Sequence, residues 1–241
     1  MKRKDFLLKG GLGFIGISTV IDACKKESVE NAASNFVSHT DATGCIITPT
    51  ETEGPFPYPG GEIKNPLNRS DVRENQGGVL FILAFKVVNT NNACAVIPGA
   101  RVDIWQCNKN GYYSGYTDSG FLGIKNYTGK TWLRGFQLTN NNGVVHFTTV
   151  YPGWYRNRAT HIHFEVFINK VLKKTGQIAF PETTNNNVYA TPLYSAHGPN
   201  PTKNIDDNVF GNSATDLANE TVIISTRNNI LHGNYTIGIP L

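Results

Sequence analysis

Charge is scarce in this chain, and so is sulfur. Of 241 residues, 17% are Asp, Glu, Lys or Arg, four are cysteine and one is methionine. No basic stripe with interleaved aromatics occurs, so the electrostatic footprint of a nucleic-acid-binding protein is missing. Long helix-forming runs are few, which argues against a helical bundle. No internal repeat is present, which removes solenoid architectures. The cysteines do not have the spacing of a zinc site. What the chain does have is 24 glycines, 12 prolines, many Asn and Thr residues, and 39% hydrophobic residues. That is enough apolar material for one large or two small domains, punctuated by turns, and it points to an all-β fold.

Half of the formal net charge of +4 lies at the start, where Lys2, Arg3, Lys4 and Lys9 stand with Asp5 and Asp22. With these four basic and two acidic residues set aside, 18 basic and 16 acidic remain, a net of +2. The opening MKRKDFLLKGGLGFIGISTVIDAC combines a basic start, an apolar stretch too short to span a bilayer well, and small residues before a cysteine. Ile21-Asp22-Ala23-Cys24 resembles a bacterial lipoprotein cleavage site, with Asp22 a departure from it, and Arg3-Lys4-Asp5-Phe6-Leu7 is similar to a twin-arginine export motif with Lys4 in place of the second arginine. The expectation is a signal segment over 1–23, a polar tether over 24–40 and a single domain over 41–241, exported and anchored through a lipid on Cys24, or else secreted or periplasmic after cleavage of an ordinary signal peptide. Cys45, Cys94 and Cys107 remain inside the domain. An oxidising compartment would let two of them pair, and the sequence does not choose which.

Strand signals dominate from Val79 onward. Val79–Val88 is a long apolar run suited to a strand buried on both faces. In Ala100–Cys107, Val102 and Ile104 share one face and Asp103 and Trp105 the other. Further strands are expected over Gly135–Thr139, Val144–Thr149, His161–Ile168, Leu172–Ala179, Thr221–Thr226 and Asn234–Ile239, the first two of these joined by an Asn-Gly turn at Asn142-Gly143. Short strands with frequent turns predict a β-sandwich with little helix. Residues 181–218, rich in Asn, Pro and Thr, are expected as long loops over one end, with helical turns open at 182–187 and 208–217.

One stretch, YPGWYRNRATHIHF at 151–164, carries two of the six histidines around a single isoleucine. On a strand, His161 and His163 point the same way, about 6.5–7 Å apart along the chain. Alone, that spacing describes a polar sheet face as readily as a metal site. Tyr155, just after the Pro152-Gly153 turn, and Gly111-Tyr112-Tyr113-Ser114, just beyond the strand ending at Cys107, add phenols nearby. A tyrosine has a pKa near 10, so only a strongly Lewis-acidic cation would hold it as phenolate at neutral pH. Two imidazoles with two phenolates suit ferric iron better than zinc, calcium or magnesium.

The string WQCNKNGYYS, followed by YPGWYRNRATHIHF, resembles the intradiol ring-cleavage dioxygenases, and TPTETEGPF from Thr48 is similar to an N-terminal motif of that family. The resemblance runs from about Thr48 to at least Phe180. It implies a β-sandwich holding one Fe(III) per chain through Tyr113, Tyr155, His161 and His163. It further implies Arg158 as an active-site arginine, Gln177 as its hydrogen-bonding partner, and Tyr155 as the ligand that departs to take a substrate proton. The implied reaction uses O2 to open a catechol-type ring between its hydroxyls, giving a muconate-type diacid. Two other classes stay open on the residues alone: a non-enzymatic exported sandwich binding an aromatic or carbohydrate ligand, and a zinc hydrolase using the two histidines, with Glu165 on the same strand face. Trp105 is expected in the core. His39, His146, His197 and His232 are expected to face solvent or cap, with His197 in a loop able to reach the pocket. Tyr112 and Tyr151 are expected to pack or line the mouth.

Overall fold

The computed structural model describes residues 40–41, 44–59, 61 and 67–241 of the chain. The expected signal segment, Cys24, His39 and nearly all of the tether lie outside the described residues. Two short pairs form small sheets of their own: β1 (Thr40–Asp41) with β2 (Gly44–Cys45), and the hairpin of β6 (Thr117–Gly120) with β7 (Gly123–Asn126).

The main body is two sheets. One has the order β11-β10-β5-β8, built from β5 (Arg101–Trp105), β8 (Arg134–Leu138), β10 (His161–Ile168) and β11 (Val171–Ala179), all antiparallel. The other centres on β3 (Leu80–Asn89), which pairs in parallel with β13 (Ile230–Ile239) on one edge. Its other edge takes β9 (Val144–Val150) and β4 (Ala95–Val96), and β12 (Ile223–Arg227) closes the outside of β13. The strands expected from the sequence are all found, with ends shifted by a residue or a few. The helical turns extend to α1 (Glu182–Tyr189) and α2 (Ala214–Glu220), the second capped by the Ser213 side chain.

Alternation explains why the sheets stack. Ile162, Phe164 and Val166 of β10 leave no surface exposed, and the Phe164 ring lies 5.5 Å from Phe85 of β3 and 6.0 Å from Tyr235 of β13, so this face meets the opposite sheet. Gly176 of β11 sits opposite Phe164, and a Cβ there would stand 2.3 Å from the ring, so the small residue makes room for the large one. His161, His163 and Glu165 necessarily point to the outer face of the same sheet. That face is not open to solvent, because residues 48–56 cross it as a strap. Lys174 Nζ donates to Thr48 O at 2.7 Å, Glu51 N–H to Thr175 O at 3.1 Å and Gln177 Nε2 to Thr52 O at 2.9 Å.

Candidate metal centre

His163 sits on β10 between Trp105 of β5 and Gln177 of β11, which are its register partners. The Trp105 indole stacks on the imidazole at 4.9 Å and 3° between planes. Trp105 is therefore buried as expected, but against the histidine on the outer face rather than inside the sandwich. Gly54 of the strap, at φ +71°, lies over the other side: a Cβ there would be 3.0 Å from His163 Cε1.

The phenols arrive from two loops that touch. After β5, Asn108 Oδ1 accepts the N–H groups of Asn110 (3.0 Å) and Tyr112 (3.1 Å), forming a tight turn that returns Tyr113 to the sheet end. The segment before β10 packs on that turn. Gly153 N–H donates to Asn108 O at 3.2 Å, and Gly111, at φ +81°, approaches so closely that a Cβ would fall 2.1 Å from Trp154 O. Phe56 of the strap stacks on Tyr113 at 4.7 Å and meets Tyr155 edge-on at 5.7 Å.

Four donor atoms converge as a result. His161 Nε2 is 3.0 Å from His163 Nε2, 3.3 Å from Tyr113 Oη and 3.5 Å from Tyr155 Oη, and His163 Nε2 is 3.1 Å from Tyr113 Oη. Ligands held about 2.0–2.1 Å from one cation at angles between 90° and tetrahedral stand about 2.9–3.4 Å from each other. His161 Nδ1 donates to Ala159 O at 2.7 Å, which fixes the tautomer and leaves Nε2 with its lone pair toward the cluster. Burial, helped by the nearby Arg158 charge, lowers His161 to about 3, and burial with the neighbouring imidazole keeps His163 well below its usual range, so both are neutral donors. Burial raises the Tyr113 phenol well above 10 and pushes Tyr155 up to about 12. Left alone both phenols stay protonated, and a cation that ionises them must be a strong Lewis acid. The donor set thus fits ferric iron. Among the described residues no group of three or more His, Cys, Asp or Glu gathers, and Glu165 bonds Thr175 Oγ1 at 3.2 Å rather than either histidine, so the phenols are indispensable to any metal site here.

Arg158 and Gln177 join the cluster. Arg158 Nη1 donates to Tyr155 Oη at 3.2 Å and Nη2 to Gln177 Oε1 at 2.6 Å. A cleft of about 520 Å³ opens beside them, with Thr52, Gly54, Tyr155, Arg158 and Val209 in its wall, a volume ordinary for a small-molecule site. All six residues singled out in the sequence are therefore brought together. Tyr112 and Tyr151 pack instead, bonding Gly123 O at 2.6 Å and Asn185 Oδ1 at 2.7 Å.

His197 differs from expectation. It is 5% exposed, stacked on Trp154 at 3.9 Å and flanked by Phe121 at 5.2 Å, because its loop folds back and Trp154 Nε1 donates to Gly198 O. Burial lowers it to about 4, so it is a neutral packing group. Sequence reasoning missed Asp207, Phe56 and Gly54. Asp207 stands in a polar loop where another acidic residue precedes it, and nothing local marks it; Phe56 and Gly54 lie within the motif from Thr48 but carry no spacing signal of their own.

Comparison with known proteins bears on the family of the chain. The family model described as dioxygenase matches residues 52–199, a span that contains all six residues. Catechol 1,2-dioxygenase of Candida albicans is 27% identical over 199 residues, covering 73% of this chain and 57% of that protein. Catechol 1,2-dioxygenase of Acinetobacter baylyi is 27% identical over 165 residues, covering 60% of this chain and 50% of that protein. The chain spans about half the length of the curated relatives it matches. An intradiol ring-cleavage dioxygenase structure from Tetranychus urticae superposes with a TM-score of 0.71 at 30% identity, over 81% of this chain and 95% of that one. The sandwich, the matched span and this likeness agree: the chain belongs to the intradiol ring-cleavage dioxygenase family.

Proposed function

We propose that this protein is an Fe(III)-dependent dioxygenase that opens a catechol-type ring between its two hydroxyls with O2, releasing a muconate-type diacid. The observation that carries the reading is the convergence of two phenol oxygens and two imidazole nitrogens at 3.0–3.5 Å. Tyr113, Tyr155, His161 and His163 would hold the iron, which when bound would supply the Lewis acidity that activates the ring toward O2.

The chain's own groups account for substrate handling. The cleft admits a ring beside Tyr155 and Arg158. Burial favours the protonated form of Tyr155, so its phenolate, the form that bound iron would hold, would be the base able to take a proton from a catechol hydroxyl. Arg158 stays charged and faces the same oxygen, so negative charge growing on the ring would meet a fixed cation. Gln177, tied at its far end to Thr52 O, keeps that guanidinium from turning away.

The proposal extends to location. Cys45 and Cys94 form a disulfide, and Cys107 is free and buried. A disulfide supports export into an oxidising compartment; a lipid on Cys24 is proposed from the sequence around it alone.

The test is metal analysis and oxygen uptake on purified protein. Iron-loaded protein should be reddish from tyrosinate-to-iron charge transfer, hold one iron per chain, and consume O2 with catechol to give a ring-opened diacid. A folded, colourless, iron-free protein that binds catechol without consuming O2 would instead return the reading to a binding module.

A further inference from the structure

Asp207 lies beyond the residues matched by the family model, in the loop between a short 3-10 turn (Asn204–Asp206) and a second one at Phe210–Asn212. Its side chain has no exposed surface. Both carboxylate oxygens are fully used. Oδ2 accepts Arg158 Nε–H at 2.9 Å and Ala159 N–H at 2.6 Å, while Oδ1 accepts the N–H groups of Val209 at 2.8 Å and Phe210 at 3.3 Å. The same loop region supplies Asn200, whose Nδ2 donates to Arg158 O at 3.0 Å.

A guanidinium is a planar fork, so fixing Nε fixes where both Nη groups point. With Nε on Asp207, Nη1 is aimed at Tyr155 Oη and Nη2 at Gln177 Oε1. The second bond on Oδ2 holds the Ala159 peptide, whose carbonyl takes the Nδ1–H of His161. One carboxylate therefore governs the orientation of Arg158 and the backbone leading into His161.

We propose that Asp207 is the positioning residue of this centre: a buried acceptor of four N–H groups that sets the Arg158 guanidinium against Tyr155. The inference rests on the dioxygenase reading for its catalytic consequence, but not for its geometry. Asparagine cannot replace it. Its single oxygen serves one side, and its NH2 must then face the N–H donors on the other.

Two measurements on the full chain test this, using Asp207→Asn, Arg158→Ala and the double variant. In iron-free protein labelled with [15N]arginine, one slowly exchanging Nε–H signal should vanish in Arg158→Ala and thereby be assigned. In Asp207→Asn it should shift and exchange at least about tenfold faster, as expected for a lost charge-assisted bond. A signal as protected as in the wild type overturns the proposal, whether or not the protein turns over catechol. In iron-loaded protein, Asp207→Asn should hold iron and lose about 10- to 100-fold in kcat per bound iron, the scale of a misplaced catalytic group. The double variant should be no slower than Arg158→Ala. Wild-type kcat in Asp207→Asn, or losses that multiply in the double variant, would show that Asp207 does not act through Arg158. Wild-type protein without iron or oxygen uptake would sink the dioxygenase reading alone, leaving the exchange measurement to decide on Asp207. If the asparagine variant does not fold, Asp207→Ser, with room for a water among the same donors, answers both questions.

Discussion

Glu220, the last residue of α2, has no exposed surface. Glu51 of the strap lies beside it. Burial and that neighbour push Glu220 up to about 9 from 4.5, and burial raises Glu51 as well. Between pH 4.5 and 9 the folded chain thus holds a proton that the unfolded chain has released, and stability from this group falls as pH rises. Glu220→Gln should remove that dependence. Urea unfolding should show a gain of at least about 1 kcal/mol at pH 8 and little change at pH 5. Tyr155→Phe belongs to the same scale. It removes one donor of four, so some iron should remain, while single-turnover cleavage slows by about 100-fold or more because the substrate proton has lost its acceptor; unchanged turnover would take that role from Tyr155. The residues readable from the sequence are those whose chemistry is local or carried by a motif: His161 and His163 by the period of a strand, Tyr155 by its closeness to that pair, and Arg158 through the resemblance to the family. Asp207 was not readable, because its role is defined by a contact 49 residues away in sequence and its own neighbourhood, Lys-Asn-Ile-Asp-Asp-Asn, describes only a polar loop.

Two loops, rather than two strands, decide whether the phenols meet the imidazoles. The turn at 108–113 and the segment at 152–155 press backbone to backbone through Gly111 and Gly153, where a Cβ would strike Trp154 O at 2.1 Å and Asn108 O at 2.5 Å. Gly111→Ala also forces a side chain onto φ +81°. That variant should lose about 2 kcal/mol or more of stability and, because the turn carries Tyr113, bind iron more weakly than it unfolds, a separation visible by comparing metal retention with thermal melts. Apolar and β-branched content placed the long strands well, β3 by a continuous apolar run and β5 by alternation. It passed over the β6–β7 hairpin, where Thr-Asp-Ser-Gly and Gly-Ile-Lys-Asn expose most of their residues and leave no apolar period to detect. Nor could it find the parallel pairing of β3 with β13, which joins Leu231 to Phe81 across most of the chain and follows from tertiary packing alone.

At the scale of the whole molecule, the Cys45–Cys94 bridge ties β2 to the turn after β3, enclosing a separation of 49 residues. Replacing both cysteines with serine, or reducing the bridge, should cost about 2–4 kcal/mol in denaturant unfolding, with the loss equal in the two treatments if Cys107 plays no part. The sequence allowed three pairings and the fold selects one, since Cys107 is enclosed beside Trp105 and Tyr113. The fold class was legible from composition and period, and Ile162 between the two histidines turns them away from the packed face by alternation; that residues 48–56 cover that outer face was not legible, because it depends on contacts more than a hundred residues away. Residues 48–56 form a roof over the histidines while belonging to neither sheet. A protease that nicks this roof would leave both walls standing and open the chamber beneath to water, so the scaffold can outlast its own chemistry.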